Sequence, residues 1–564
     1  MRRTTAGEWA VMAALGLLGL TFALELKAPL FRFAQWGTLT NVEALATGVV
    51  VMWGLVCALE RRFPRWPPKL GPAAATWLAV IMMATFQAPG YRLEALHFAL
   101  KVAMGALVGW AVYDVTTTPR RLAWLGRAFA LGGLVVALAA LAEAGQLEPA
   151  ATWLGAFKAA PTWAGEFRRA SATLPYATIA GAVLEMTAFF WLAWTLSASS
   201  RPGRWLAAGG VLVTVVGLVL TLSRAAVLAL LSGLFVWSLA VRHRYPSWAR
   251  GVALAGGVVG GIVVGALLAT PDLVWRLRTE TDRDWYVAQY EAPATVTVSA
   301  GERVRVPVKV INQGVRTWLP DAPFPVSLSY HLRRPDGTVV TYDGPRTPVR
   351  QRVPPGDAVT LLVEVEAPPT PGRYVVEWDM VREGLMWFSW KASPTGQTEL
   401  VTLGPPVPEP ASWKPTPLPS APHLAEPVPA RPELWRVAWQ MVQERPLLGY
   451  GPDTFRLRYG AYLGYTRWNR GVHANNLYLE LLAGTGWLGI VAFLFFAWRL
   501  VGAITKALQA VDTAWGHAPA LALVAWLVHG LADAFLAFTP TLVAFWFAVG
   551  LLAAGVRGEP RRAP

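Results

Sequence analysis

Residues Trp205–Ala240 read WLAAGGVLVTVVGLVLTLSRAAVLALLSGLFVWSLA, two apolar runs parted by Leu222-Ser223-Arg224, with Arg224 the single charge of the stretch. Each run approaches the roughly 20 residues that cross a hydrocarbon core about 30 Å thick. Comparable runs lie near 9–26, 40–59, 73–90, 94–113, 122–142, 175–197, 205–221, 225–240, 249–269, 486–504, 518–537 and 540–556. The pattern predicts a mostly α, polytopic membrane protein of about twelve transmembrane helices. Composition agrees: 54% of the 564 residues are hydrophobic and 15% charged, against about 25% charged in soluble domains. A single soluble enzyme and a disordered or collagen-like chain are thereby excluded.

The 50 Lys+Arg exceed the 35 Asp+Glu by 15. The excess lies mostly in short loops between apolar runs, where it reports orientation rather than nucleic acid. With the N-terminus inside, the cytoplasmic loops hold Arg2, Arg3, Arg61, Arg62, Arg65, Lys69, Arg120, Arg121, Arg201, Arg204, Arg242, Arg244, Arg250, Lys506, Arg557, Arg561 and Arg562. The short outer loops hold Lys27, Arg32, Arg92, Lys158, Arg168, Arg169 and Arg224. Seventeen against seven predicts both termini in the cytoplasm. No small-x-small cleavage site follows the first span, which is read as an anchor. Cys57 is the only cysteine and sits in an apolar run, so no intrachain disulfide can form.

This orientation exports the one long hydrophilic segment, about 271–485. Within 285–403, Thr295-Val-Thr-Val, Arg303-Val-Arg-Val-Pro-Val-Lys-Val and Val359-Thr-Leu-Leu-Val-Glu-Val alternate with period two, and Asp336-Gly337 and Pro355-Gly356 mark turns. Short strands at this spacing predict an extracytoplasmic β-sandwich insert. The pattern Asn312-x-Gly314…Trp318 then Pro371-Gly372-x-Tyr374…Trp378 resembles bacterial immunoglobulin-like domains. Eleven prolines between Pro405 and Pro432 predict an extended, semi-rigid spacer. The expected organisation is nine spans over 1–270, the insert at 285–403, a Pro-rich linker at 404–430, an exported helical catalytic loop at 431–485, and three spans with a cytoplasmic tail over 486–564.

After the linker comes Arg431-Pro-Glu-Leu-Trp-Arg436, then Glu444-Arg-Pro-Leu-Leu-Gly449-Tyr-Gly451-Pro-Asp453-Thr-Phe455, then His473-Ala-Asn475-Asn476-Leu-Tyr478-Leu-Glu480-Leu-Leu-Ala-Gly-Thr-Gly486-Trp-Leu-Gly489. These runs, with Leu222-Ser223-Arg224-Ala-Ala between two spans, resemble the O-antigen ligase and O-antigen polymerase superfamily of bacterial membrane glycosyltransferases. The resemblance covers the membrane portion from about the sixth span onward. It implies a GT-C-like helical fold in the bacterial cytoplasmic (inner) membrane. It also implies transfer of a glycan from a polyprenyl-diphosphate carrier to an acceptor hydroxyl outside that membrane. The partners so implied are the lipid-diphosphate-linked glycan donor, a glycolipid or glycan acceptor such as lipid A-core, and membrane lipids; no nucleic acid, cofactor or metal is called for.

Breaking the sugar C1–O bond puts charge on the departing diphosphate, which guanidinium groups stabilise bidentately. By resemblance Arg224 and Arg431 match arginines that the family uses for the carrier diphosphate, with Arg436 a third candidate. Arg224 can equally anchor a helix end at the headgroups. A general base is needed for the acceptor hydroxyl. The family commonly has His directly before the Asn of its H-N-x-Y-L motif. Here Asn475 stands there and His473 lies two residues earlier, so either the shifted His473 is the base, or a solvated loop histidine occupies 473 and the base lies elsewhere. His529 and Asp533 are four apart, which on one helix face predicts a pair. Asp533 is a candidate catalytic residue, or half of a helix-end pair. The patch Tyr465-Thr-Arg467-Trp468-Asn-Arg470, with Asn475, Asn476 and Tyr478, is the candidate glycan or acceptor surface, or an interfacial aromatic belt.

Other signals weigh less. Asp282-Arg-Asp284 is a D-x-D without an α/β context, so no metal role follows. Lys101 and Glu185 fall mid-span, which predicts an ion pair between them. Trp318, Trp378, Trp387 and Trp390 of the insert could stack on sugars, although alternation places several in its core. Ligase, polymerase and protein O-oligosaccharyltransferase readings share these motifs. A polysaccharide transporter or flippase would show internal repeats and helices broken at mid-membrane, and neither is found.

Overall fold

A computed structural model describes residues 5–32, 38–158, 161–270, 273–279, 281–409, 416–417 and 428–557. Every apolar run overlaps a helix: Ala6–Thr21, Asn41–Leu59, Leu70–Phe86, Arg92–Val115, Pro119–Ala144, Ala177–Ser197, Arg201–Leu220, Arg224–Val241, Pro246–Ala269, Leu477–Ala510, Ala514–His529 and Thr539–Gly555. Eight are long and apolar enough to cross a membrane, and Ala6–Thr21, Leu70–Phe86 and Thr539–Gly555 are shorter apolar helices. This mostly helical architecture is consistent with a polytopic membrane protein. Arg2, Arg3, Arg561 and Arg562, and Pro410, Pro415, Pro419, Pro422 and Pro427 of the linker, lie outside the described residues.

Ala177–Ser197 is the central helix, buried along nearly its whole length. Its neighbours approach closely because they present glycine: a Cβ at Gly133, Gly210 or Gly233 would fall 2.2, 2.3 and 2.3 Å from Thr187, Trp191 and Phe189. Small residues at such crossings let dispersion contacts replace the hydrophobic drive that lipid removes. Two mid-span charges find partners other than those expected. Glu185 accepts from His529 Nδ1 at 2.8 Å, both fully buried. Lys101 instead approaches Glu43 at 3.4 Å and donates to Ala537 O at 2.8 Å. The predicted Lys101–Glu185 pair is therefore corrected. Each charge took a partner on the helix packed beside it, and sequence separation carries no information about which helix that is.

The eleventh run ends earlier than expected. The helix stops at His529, and Asp533 lies in the turn beyond it, so the two do not share a helix face. The turn's carbonyls are taken elsewhere: Leu477 N donates to Gly530 O and Asn476 Nδ2 to Leu531 O.

The 285–403 segment builds two sheets. One runs in the order Thr347–Pro348, Val326–Arg333, Gly372–Arg382, Gly396–Leu403, Thr295–Ser299; the other runs Ala358–Glu366, Arg303–Asn312, Ala288–Glu291. Pairing is antiparallel except between Gly396–Leu403 and Thr295–Ser299. One shared core of Val306, Val308, Leu328, Val363, Val376, Trp378 and others lies between them, supplied by alternate residues of each strand. Thr416 of the linker accepts from Tyr342 N through its carbonyl and from Asp343 N through its hydroxyl, so this part of the linker lies against the insert.

A hairpin of strands Thr162–Ala164 and Phe167–Arg169 connects bundle and insert. On the bundle side, the buried Glu143 accepts from Ser171 N and Ala172 N and approaches Lys158 Nζ at 2.5 Å and Arg168 Nε at 3.7 Å. On the insert side, Glu166 pairs with Arg316 at 2.7 Å and Arg382 at 3.4 Å. Removing one member of a buried ionic group leaves the others uncompensated. Glu143→Ala is therefore expected to destabilise the protein by about 3–5 kcal/mol in mixed-micelle equilibrium unfolding. Glu143→Gln, which can still accept both N–H groups, should lose less.

Candidate active site

The hairpin, the start of Ala177–Ser197, Arg276, Thr281, Asp282, Arg283, Trp390, Lys391, Val428, Pro429, Arg431, and the 469–475 and 533–538 turns line a cavity of about 520 Å³. Arg169, Arg276 and Arg431 line it. Arg224 stands beside them, close enough to act electrostatically on Arg169 and Arg276. Burial above all, with repulsion from Arg431 and Arg224, pushes Arg169 down to about 10 against the pull of Asp533 and Asp282. Burial, Arg169 and Arg224 push Arg276, on the short helix Val274–Arg278, down to about 9. Arg169 Nε donates to Thr221 O at 3.1 Å, and its buried Nη2 has no hydrogen-bond partner among the described residues. Such crowding disfavours the cations already present and is relieved by an anion.

Local chemistry explains the positions. Ser223 caps Arg224–Val241 by accepting from Ala226 N at 3.4 Å. Leu222 takes φ +51°, a left-handed turn that brings the chain sharply from one helix into the next. Arg224 Nη1 then donates to Thr279 O at 2.9 Å, tying the bundle to the root of the insert. In Arg431–Glu444, Pro432 suits the first turn, Glu433 Oε2 accepts from Ala430 N at 2.8 Å, and Trp435 Nε1 donates to Ala474 O at 3.0 Å. The R-P-E-L-W run thus fastens its own helix to the loop that carries His473.

His473 is buried and lines the cavity. Its Nδ1 lies 3.0 Å from Glu480 Oε1 and 3.9 Å from Asp453 Oδ1, leaving Nε2 as the nitrogen for another partner. Phe538 lies 5.5 Å away, tilted toward an edge-on approach. Burial lowers the pKa of His473, but the Glu480 and Asp453 carboxylates together outweigh it and the result is raised above the ordinary 6.5. Asp453, His473 and Glu480 bring one potential metal-ligand atom each within 4.8 Å of one another. Arg456 already holds Asp453 through Nε at 3.0 Å and Nη2 at 2.9 Å, and Ala474 N donates to Glu480 Oε2 at 2.7 Å. A cation would have to compete with both.

Beneath this trio, two chain segments meet backbone to backbone. Tyr450 N donates to Ala483 O, Gly451 N to Gly484 O and Trp487 N to Pro446 O. Gly486 breaks Leu477–Ala510 with φ +63°, and a Cβ there would fall 2.4 Å from the Leu447 backbone. At Gly449, also at φ +63°, it would fall 2.6 Å from Ala483 O. Only glycine meets both demands at these two positions.

The structure brings Arg431, His473, Asn475 and Asp533 to one cavity with Arg224 adjoining it, and it places the other candidates off that lining. Arg436 is exposed on its helix and does not line the cavity. It sits five residues from Arg431, about 140° around the helix. Asn476 caps Leu477–Ala510 through Tyr478 N and Leu479 N, and Tyr478 Oη donates to Leu527 O at 2.7 Å. Trp468 packs over Gly460 and Tyr459 and donates to Arg456 O. Tyr465, Arg467 and Arg470 also lie off the cavity lining. Sequence reasoning missed Arg169, Arg276, Glu480 and Asp453. Arg169 was weighed only as an outer-loop charge, and Glu480 and Asp453 only as letters of a motif.

Fold and site together describe a multi-pass helical protein with a cationic cavity at one face of its bundle. Residues 424–494 match the family model described as O-Antigen ligase, so this segment, from the end of the linker through the His473 loop, is similar to that family. The match supports a ligase- or polymerase-type function, a membrane glycosyltransferase-like enzyme, and lipid-linked glycan and glycoconjugate partners in general. No curated protein matches the chain. Among solved structures, Pseudomonas fluorescens alkylpurine DNA glycosylase AlkC bound to DNA containing an abasic site analog aligns with 60% of this chain and 97% of that one, at 13% identity and TM-score 0.12. So low a score carries no argument.

A raised imidazole pKa means that the fold favours the charged form. The pairing with Glu480 therefore stabilises most below about pH 6.5 and is lost as pH rises through the raised value. Accordingly, Glu480→Gln should cost more thermal stability at pH 6 than at pH 9. It should also move the His473 midpoint in an NMR titration below that of the wild type; an unmoved midpoint would dissociate the two residues.

Proposed function

We propose that the protein transfers a glycan from a polyprenyl-diphosphate carrier to an acceptor hydroxyl at the outer face of the bacterial cytoplasmic membrane, as an O-antigen ligase does. The observation that carries this reading is one cavity holding Arg169, Arg276 and Arg431 beside the carboxylate-buttressed His473, with Arg431 and His473 inside the segment that matches the ligase family. In this reading all twelve helices span, both termini are cytoplasmic, and the two-sheet unit is an extracytoplasmic immunoglobulin-like β-sandwich. Supporting the last point, Tyr374 Oη donates back to Thr370 O at 2.9 Å, in the manner of a tyrosine corner. The proposed domain bounds are 1–270, 285–403, 404–430, 431–485 and 486–564.

The acceptor oxygen forms a bond to the anomeric carbon as the C1–O bond to the diphosphate breaks. The bonding pair leaves on the diphosphate, where Arg169, Arg276, Arg431 and, from the side, Arg224 stabilise it. The hydroxyl proton passes to His473 Nε2, with Glu480 orienting the ring and stabilising the imidazolium that forms. Asp533 attracts the Arg169 guanidinium electrostatically.

Transfer from purified lipid-linked donor in a bilayer or micelle tests this. Arg169→Ala and Arg431→Ala should each lower kcat about 10²–10³-fold, and His473→Ala about 10²–10⁴-fold. Arg436→Ala should stay within about twofold of wild type, because its side chain is off the cavity. Full activity in Arg431→Ala or His473→Ala would end the assignment. In cells, deletion that leaves full-length polymer on the carrier marks a ligase, and deletion that leaves single repeats marks a polymerase.

A further inference from the structure

The insert is more than a tethered side module, because part of the cavity wall is made from it. Of the four tryptophans singled out in the insert, Trp318, Trp378 and Trp387 are buried in its cores. Trp390 is the one that lines the cavity, on the short turn Phe388–Lys391. Its indole N–H donates to Tyr342 Oη at 2.9 Å, which fixes the ring in place before any ligand arrives. Lys391 follows it and pairs with Asp282 at 2.7 Å, and Asp282 also accepts from Gly165 N at 2.9 Å. That carboxylate clamps the insert to the hairpin. Trp163 of the hairpin lines the same cavity and is 45% exposed, with Arg168 over its ring at 6.0 Å.

Two indoles, the Asp282 carboxylate, the Lys391 ammonium and the Arg283 guanidinium on one cavity lining suit a particular class of ligand. A pyranose has apolar C–H faces ringed by hydroxyls: the faces pack on aromatic rings, and the hydroxyls donate to carboxylates and accept from cations. A diphosphate has no use for the indoles, and a lipid chain has none for the charges.

We propose that Trp390, Lys391 and Asp282 of the insert region, with Trp163 of the hairpin, form a sugar-binding subsite that selects the glycan being transferred. The proposal rests on the transferase reading for its purpose but not for its test. Full-length protein in nanodiscs is titrated with lipid-free oligosaccharide released by mild acid from the producing cell's polyprenyl-linked pool, and binding is followed by tryptophan fluorescence and calorimetry. Wild type should bind saturably, and Trp390→Ala should weaken binding at least tenfold. Trp390→Phe, which keeps an aromatic face, should remain within about threefold of wild type. Trp163→Ala in the hairpin should repeat the tenfold loss, and it leaves the insert's own core untouched. Equal binding by wild type, Trp390→Ala and Trp163→Ala, or no saturable binding by wild type, overturns the subsite. In a parallel assay with the intact lipid-linked donor, a wild type that binds the oligosaccharide without transferring it would refute the transferase reading while upholding the subsite.

Discussion

Guanidinium groups do not gather in a buried cavity without cause, since each loses hydration and each repels the next. Here Arg169, Arg276 and Arg431 share one cavity with Arg224 at its side, and both Arg169 and Arg276 hold their protons less tightly than an ordinary arginine. Asp533 and Asp282 offset part of this repulsion. The remainder is a standing attraction for an anion, and much of the surrounding structure serves to keep the cations from separating. Ser223 and Leu222 set the turn before Arg224, Thr221 accepts from Arg169, and Thr279 accepts from Arg224.

The histidine side of the cavity depends on a different constraint, close approach of two backbones. Hydrogen bonds from Tyr450, Gly451 and Trp487 join the turn after Arg431–Glu444 to the start of Leu477–Ala510. Any side chain at Gly449 or Gly486 would separate the two segments. Asp453 and Glu480 leave this seam from opposite sides and meet at His473. The shift of His473 relative to the usual motif position is thus compatible with a buttressed imidazole in the cavity, because the seam and the Trp435–Ala474 hydrogen bond set the loop's path.

The inserted unit is bound into this arrangement through buried charge. Glu166 at the hairpin tip holds Arg316 and Arg382, and Asp282 holds Lys391 and the hairpin backbone. Arg169 ends the same hairpin, so the β unit and a cavity cation are mechanically joined. An isolated exposed pair would contribute little, whereas these groups are largely excluded from water.

Apolar period and length were sufficient, by themselves, to locate the helices, because a segment that crosses lipid must satisfy its own backbone and present apolar side chains over about 30 Å. Strict alternation located the strands Thr295–Ser299, Arg303–Asn312 and Ala358–Glu366 for the same reason of burial on one face. The motif runs around Arg431 and His473 also marked the correct stretch of chain. What the tertiary structure alone decided was which charges meet. Glu185 went to His529 and Lys101 to Glu43, Arg436 turned outward while Arg431 turned in, and Arg169, in sequence only an outer-loop charge, became part of the cavity. Electrostatic partnership depends on distances across helices and loops far apart in the chain, and local pattern carries none of that information.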